Sequence, residues 1–391
     1  MAVAGATGII TSAELADNAV TTDKLIDDAV TNPKILDETI TNAKLTNPAR
    51  KNLIINGDMR IAQRATSVTG KTGSGYYTVD RWRNTISGLG TWSFSQSTDT
   101  PTGQGFGYSL KLDCTTADAS PAAGDYFILA QLLEGQDLQR LKKGTSNAES
   151  VTVSFWVKST KTGTYILEFE DADNTRSISQ SYTVDSASTW EKKTLTFAGD
   201  TTGAFTNDTN TSLAVNFWYG AGTDYTSGTL NTSWGTRTAA NIAPGLTNLG
   251  DNTANELYIT GVQLEVGSTA SDFEHRHFTE ELKLCERYFE VCGQGASGVA
   301  ENTTTIAIME KFKTLKRGIP TLSLKASQQC AFRHQASDKT ITPSGLAALT
   351  PSYRGFWCYV EGFTGLTNQG SVESRNNTAS RGGFIFADAE L

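Results

Sequence analysis

A ten-residue repeat near the start of the chain constrains its fold more than any other feature. Each copy has a β-branched residue, then Thr, two polar or small residues, Lys or Glu, and an aliphatic residue. The four copies follow without a gap and read Ile10-Thr-Ser-Ala-Glu-Leu15, Val20-Thr-Thr-Asp-Lys-Leu25, Val30-Thr-Asn-Pro-Lys-Ile35 and Ile40-Thr-Asn-Ala-Lys-Leu45. The spacing predicts a short strand and one tight turn per copy. A coiled coil is excluded, because its apolar positions recur about every 3.5 residues.

The repeat offers about two inward apolar groups per ten residues, too few for one chain to bury against itself. Several identical chains wound around a shared axis would solve this, and three chains are the natural closure for a shaft. The alternative is a disordered, Thr-rich leader. Residues 9–46 resemble the shaft repeats of bacteriophage tail-fibre proteins. The resemblance implies that residues 1–50 form a shaft and attach to another tail or adaptor protein of the virion.

Charge and cysteine content exclude several classes of protein. The chain has 33 Lys+Arg and 41 Asp+Glu, a formal charge of −8, and no basic block, which argues against nucleic-acid binding. No apolar run approaches the roughly 20 residues that span a bilayer, so we expect no membrane insertion. The five cysteines are odd in number and include no CxxC pair, so we expect free thiols in a chain made in the cytoplasm.

The middle of the chain alternates apolar and polar residues in short runs separated by Gly, Ser and Asp clusters. Such runs lie at residues 151–158, 190–197, 213–219 and 257–265. This pattern predicts an antiparallel β-sandwich or jelly roll over residues 51–278, with little helix. Residues 132–141 are the exception, since they could form a helix interrupted at Gly135.

A short linking helix is predicted over residues 279–292. Thr279 is a plausible N-cap, and Glu280 and Glu281 follow in the first turn, where the helix dipole favours acidic groups. Spacings of three and four then give one apolar face, formed by Leu282, Cys285, Tyr288, Phe289 and Cys292. Alternation returns after this helix and predicts a small distal β domain over residues 293–391. The predicted molecule is therefore mainly β, and trimeric through its leading repeats.

Three segments of the central region resemble a jelly-roll module that is common in phage fibres and distantly similar to carbohydrate-binding modules. They are Asn52-Leu-Ile-Ile-Asn-Gly-Asp-Met59, residues 153–171 and residues 259–290. The resemblance implies a structural virion protein, a homotrimeric tail fibre made in the host cytoplasm that binds a host-surface glycan. Two rivals remain: a capsid or head-decorating fibre built from the same modules, and a polysaccharide depolymerase. The sequence lacks the long parallel β-helix repeats typical of depolymerases, so we expect no enzyme and no catalytic residues.

Aromatic residues in or beside Gly-, Thr- and Asn-rich loops are the candidate ligand contacts. A flat ring stacked on a sugar face buries apolar area at low entropic cost. The predicted ligand-binding residues are Tyr219, Tyr225, Trp234, Tyr353 and Trp357. Core packing is the alternative for each ring, notably for Trp218 or its neighbours and for Trp357.

His275 and His277 are the one pair with metal-ligand spacing. On a strand both would point the same way, and three such pairs could meet on a trimer axis. The alternative is two surface or interface histidines. The sequence predicts no metal site and no cofactor.

Overall fold

The computed structural model describes residues 51–326, 328–335, 337–374 and 383–391. The predictions for residues 1–50, which are the repeats, the shaft and the attachment segment, lie outside the described residues. Antiparallel strands dominate the described part. The α-helices there are α1 (Thr223–Thr226) and α2 (Phe278–Glu286), and short 3₁₀ turns occur at Gly135–Asp137, Gln139–Leu141, Ala239–Asn241 and Leu249–Asp251.

Strands β1 to β13 form two antiparallel sheets that pack face to face. Their bounds are β1 (Ser67–Lys71), β2 (Gly75–Tyr76), β3 (Arg83–Ser87), β4 (Thr91–Ser97), β5 (Ser109–Thr116), β6 (Tyr126–Glu134), β7 (Val151–Ser159), β8 (Gly163–Asp171), β9 (Arg176–Val184), β10 (Glu191–Phe197), β11 (Thr211–Ala221), β12 (Gly235–Thr236) and β13 (Glu256–Val266). The first sheet has the order β1-β4-β5-β13-β7-β10, and the second has the order β12-β9-β8-β11-β6-β3-β2.

The sandwich core lies between the two sheets because alternate side chains of each strand point inward. In β11 the inward residues are Leu213, Val215, Phe217 and Tyr219, all within the main apolar cluster. The expectation of a mainly β molecule built from antiparallel sheets with few helices is confirmed.

Residues 132–141 do not form the helix that their sequence suggested. Strand β6 continues through Glu134, and only the two short 3₁₀ turns follow it. Leu132 and Leu133 are paired with Ala214 and Leu213 of the neighbouring β11. Cross-strand pairing in the middle of the second sheet therefore overrides the local helical pattern.

The linking helix is shorter than the predicted residues 279–292. Its N-cap is His277, whose Nδ1 accepts a 3.4 Å hydrogen bond from the amide of Thr279, so the proposed Thr279 cap is wrong. The helix ends at Glu286, and Phe289–Cys292 forms a strand instead. Phe289 and Cys292 are buried, as predicted for a helical face, but the backbone of this segment pairs with a strand near residue 385.

The described residues of the distal part form ten further strands. Their bounds are β14 (Phe289–Cys292), β15 (Ser297–Ala300), β16 (Thr305–Lys311), β17 (Thr321–Leu324), β18 (Cys330–His334), β19 (Ser337–Ile341), β20 (Gly345–Pro351), β21 (Gly355–Glu361), β22 (Ser371–Ser374) and β23 (Ile385–Asp388). A three-stranded sheet, β14-β23-β17, and a seven-stranded sheet, β19-β18-β22-β15-β16-β21-β20, enclose a second apolar core.

A buried polar junction joins the distal part to the sandwich. Glu134 at the end of β6 accepts hydrogen bonds from Arg287 at 2.7 and 2.8 Å and from the hydroxyl of Tyr288 at 2.5 Å. Arg81, fully buried, pairs with Glu390. Both contacts are charge-assisted and shielded from water, which strengthens them.

The cysteines agree with the expectation of free thiols, since all five are free and buried. Within the described residues, no helix is both long enough and apolar enough to cross a membrane.

Candidate functional site

The outer face of the second sheet carries a groove of about 240 Å³. We call it the outer groove. Outward-facing side chains of β3, β6, β8 and β11 form its floor, and the loop after β11 adds a wall. Its lining residues are Arg83, Thr85, Tyr126, Ile128, Ala130, Leu132, Glu170, Ala214, Asn216, Trp218, Tyr225 and Arg237.

Strand register explains why the groove lies where it does. Asn216 of β11 is paired with Ala130 on one side and with Glu168 on the other, and Ala130 is paired with Arg83. Directly paired residues of adjacent strands point to the same face of a sheet. The methyl groups of Ala130 and Ala214 are the smallest side chains on this face, so the floor is lowest there.

The loop of residues 222–247 is held over the sheet by its own backbone. The amide of Gly228 donates to the carbonyl of Ala240 at 2.8 Å, and the amide of Ala243 donates to the carbonyl of Tyr225 at 2.9 Å. Ile242 and Ala243 are buried in the apolar cluster on the outer face of the sheet. This packing fixes the position of Tyr225 at the groove.

Three aromatic rings lie together at one side of the groove. The Trp218 ring centroid is 5.2 Å from that of Tyr225 and 6.2 Å from that of Tyr126, and the two tyrosines meet edge to face at 5.4 Å. Trp218 is only 1% exposed, whereas both tyrosines are half-buried. The tryptophan therefore supports the two tyrosine rings, and the tyrosines present their surface to solvent.

Glu168 lies beneath the groove and is satisfied entirely by its neighbours. Its side chain is fully buried, and it accepts hydrogen bonds from Arg237 Nε at 2.8 Å, Trp218 Nε1 at 3.0 Å and Asn216 Nδ2 at 3.2 Å. Burial raises the pKa of Glu168, although Arg237 opposes the shift. Glu170 is one third exposed and lies 3.4 Å from Arg237 Nε and 3.1 Å from Asn216 Nδ2.

The structure separates the five predicted ligand contacts. Tyr225 lines the outer groove. Tyr219 is 0% exposed in the sandwich core, so its assignment as a ligand contact is corrected: it follows outward-facing Trp218 on β11 and must point inward. Trp234 is half-buried, and its Nε1 donates to the carbonyl of Ala198 at 2.8 Å. Tyr353 is 50% exposed and Trp357 packs on Tyr359, both in the distal part.

The remaining groove residues were missed because nearly all of them lie on four strands, β3, β6, β8 and β11, that are distant from one another in sequence. Alternation along β6 and β11 could have placed Tyr126 and Trp218 on one outer face, since both are out of phase with the inward residues. The pairing of β6 with β11, which brings them together, has no local signal.

His275 and His277 serve the protein's own structure. The His275 ring packs against Phe273 at 4.9 Å and Phe106 at 5.3 Å, while His277 caps α2. Throughout the described part of the chain, no group of three or more His, Cys, Asp or Glu residues is placed to hold a metal ion.

No family model matches the chain, and no curated protein matches it. Solved structures give distant likenesses. One is the enzymatically active domain of tailspike protein 4 of bacteriophage CBA120, with 12% identity and a TM-score of 0.29, covering 55% of this chain and 21% of that one. Another is a putative sugar-binding protein from Bacteroides thetaiotaomicron, with 11% identity and a TM-score of 0.31, covering 55% and 100%.

A third is a family 61 carbohydrate-binding module in complex with β-1,4-galactotriose, with 10% identity and a TM-score of 0.28, covering 55% of this chain and 99% of that one. At these identities and TM-scores, the likenesses decide nothing about the ligand of this chain.

Proposed function

We propose that this chain is a glycan-binding structural protein of a phage virion, a homotrimeric tail fibre that contacts the host surface through the outer groove. The observation that carries the glycan proposal is the pair of half-exposed rings, Tyr126 and Tyr225, held by Trp218 beside Asn216 and Glu170. Rings of this kind stack on the C–H face of a sugar, and amide and carboxylate groups bind its hydroxyls.

The size of the groove fits one part of a longer glycan. Its volume of about 240 Å³ is below the roughly 300–1,000 Å³ of pockets that enclose a drug-sized ligand. A groove of this size can hold one or two sugar residues while the rest of the polymer continues outside. Affinity per groove is then weak, and three copies in a trimer raise it through avidity.

The test of the glycan site is calorimetry with host-surface polysaccharide. Replacing Tyr225 by Ala removes one ring and should weaken binding by about tenfold, because an aromatic contact contributes on the order of 1 kcal/mol beyond its buried area. Tyr108→Ala is the matched control, since Tyr108 is 39% exposed and lies immediately before β5 of the first sheet, away from the groove. If Tyr225→Ala keeps its affinity for the polysaccharide and Tyr353→Ala loses it, the binding site lies in the distal part.

The trimer and the virion role rest on the repeat of residues 10–45 and on its likeness to tail-fibre shafts. Light scattering on the full chain should give about three times the chain mass of 42.0 kDa. A chain lacking residues 1–50 should no longer have the mass of a trimer. A monomeric full chain would remove the fibre proposal. Immunogold labelling of virions separates a tail fibre from a head-decorating fibre.

The groove favours glycan binding without hydrolysis over the activity of a polysaccharide depolymerase. Glu170 lines the groove, and Glu168 beneath it has the raised pKa that a general acid needs. However, both oxygens of Glu168 are taken up by Arg237, Asn216 and Trp218, and its side chain is fully buried. Incubation with host polysaccharide should release no reducing ends; steady release would make the chain an enzyme.

A further inference from the structure

Two polar side chains at the β3 edge of the outer groove lack internal partners. Arg83 and Thr85 both line the groove and are half-buried. Neither the Arg83 guanidinium nor the Thr85 hydroxyl forms a side-chain hydrogen bond or ion pair with any residue that the structure describes. Both can donate, so this edge offers hydrogen-bond donors to whatever enters the groove.

The opposite edge of the groove is satisfied already. Arg237 is neutralised by Glu168 at 2.8 Å and Glu170 at 3.4 Å, and Asn216 Nδ2 donates to both carboxylates. The two arginines of the groove are therefore not equivalent. The positive charge that remains without a counter-charge is the one on Arg83.

The spacing across the sheet suits a single sugar ring. Arg83, Ala130 and Asn216 form one transverse row on strands β3, β6 and β11. Adjacent strands lie about 4.8 Å apart, so Ala130 has one strand spacing on either side. A ring that rests on the Ala130 methyl group can reach the Arg83 guanidinium with one substituent and Asn216 with another.

We propose that the outer groove selects a saccharide containing an acidic sugar residue, whose carboxylate binds Arg83 and Thr85 while its ring lies over Ala130. This inference rests on the proposed glycan-binding function and names the class of glycan. The guanidinium fork matches the two oxygens of a carboxylate, and covering the fork with a neutral sugar would desolvate a charge without pairing it.

The chain's net charge of −8 does not attract acidic polymers from a distance. Recognition of the carboxylate is therefore a short-range effect inside the groove, where both partners lose water. Its preference for an acidic sugar should persist at physiological salt, since exposed long-range charges are screened there but contacts within a groove are not.

The experiment is calorimetry on the full chain with paired probes at about 150 mM salt. The pairs are trigalacturonic acid with its methyl ester, and sialyllactose with lactose; galactose 6-phosphate tests a phosphate in place of the carboxylate. We expect at least one acidic probe to bind about tenfold or more tightly than its neutral partner, the ratio of one charge-assisted hydrogen bond. Arg83→Gln should abolish that ratio, whereas Arg333→Gln, which removes the same charge from the distal part, should keep it.

Each other outcome overturns a distinct statement. Equal binding of the acidic and neutral partners leaves glycan binding in place and removes the acidic-sugar inference. An acidic preference that survives Arg83→Gln removes the role of Arg83, and tighter binding of the phosphate than of either carboxylate removes the carboxylate assignment. Absence of binding to every probe counts against the proposed glycan function, and the inference falls with it.

Discussion

The ammonium group of Lys143 is surrounded by oxygen atoms in the way that a bound cation would be. Its Nζ lies 2.5 Å from Asp171 Oδ2, 3.1 Å from Asp200 Oδ2, 2.9 Å from the carbonyl oxygen of Thr202 and 2.7 Å from that of Gly203. The ammonium is thus surrounded by two carboxylates and two carbonyls, and the lysine side chain is only 4% exposed. This arrangement neutralises buried negative charge and ties together two loops at the end of the sandwich.

Replacing Lys143 by Met should destabilise the protein by about 3–5 kcal/mol, because the buried Asp171 carboxylate loses its cationic partner. Thermal unfolding measures the loss. Lys192→Met, at an exposed position of β10, is the matched control and should change stability by less than about 0.5 kcal/mol. Equal effects of the two variants would show that the oxygen cage adds no stability.

The buried carboxyl of Asp80 should make the protein less stable as pH rises. It is 0% exposed, and burial raises the pKa of its carboxyl from 3.8 to about 6 despite the nearby Arg64. The folded state therefore holds this proton more tightly than the unfolded state. Its contribution to stability is fully present below pH 3.8 and is lost as pH rises through about 6.

Asp80→Asn should remove this dependence. The stability of the variant relative to the wild type should rise between pH 4 and pH 7 by about 3 kcal/mol, the free energy of a shift of roughly two pKa units. Denaturant unfolding at several pH values measures it. A constant difference across that range would mean that Asp80 does not titrate in it.

At the scale of elements, alternation predicted where strands lie but not which strands pair. Residues 151–158 and 213–219 fall within β7 and β11, and all but the first residue of the run 190–197 forms β10. Inward positions such as Phe155 and Phe217 repeat every second residue in these strands. The prediction of a helix at residues 132–141 was wrong, since pairing with β11 keeps the start of that segment in a strand. The groove could be predicted only in part for the same reason. The loop composition indicates Tyr225 as a ligand contact, but strand pairing brings its neighbours Tyr126 and Trp218 next to it.

The leading segment of the described chain depends on a close approach at Gly57. The amide of Val262 donates to the carbonyl of Gly57 at 2.9 Å, and a Cβ at Gly57 would lie 2.1 Å from the carbonyl oxygen of Val262. The carbonyl oxygen of Val262 belongs to the backbone of β13, so it cannot rotate away from the added Cβ. The Asn-Gly pair in residues 52–59 therefore fixes this segment against β13.

Gly57→Ala should cost at least about 2 kcal/mol through overpacking. Gly73→Ala is the control, because a Cβ there meets nothing within 4 Å. Differential scanning calorimetry compares the two. A melting temperature for Gly57→Ala equal to that of Gly73→Ala would contradict the tight fit.

At the scale of the whole molecule, a buried polar junction joins the sandwich to the distal part. Glu134 is 1% exposed and holds Arg287 and Tyr288, which lie immediately before β14. No local pattern in the sequence indicates this contact, since Glu134 and Arg287 are more than 150 residues apart. A boundary drawn near residue 279 therefore describes the order of elements but not their attachment.

Glu134→Gln should weaken the junction by about 1.5–3 kcal/mol, the range for hydrogen bonds to a charged group. Hydrogen exchange should then speed up in β14 and β23 more than in the sandwich strands. Glu149→Gln breaks a surface pair with Lys142 and should change stability by less than about 1 kcal/mol. Uniform exchange across both parts in Glu134→Gln would indicate that the junction does not hold them together.

The position of β23 sets a condition on biosynthesis. This strand is hydrogen-bonded on both sides, by β14 and by β17, although it lies more than sixty residues after either of them. On the ribosome, β14 and β17 emerge without the partner that they share, and their open edges can pair wrongly with other chains. The three-stranded sheet closes only after translation has passed Asp388, so prematurely terminated products cannot complete it and become substrates for chaperones and proteases.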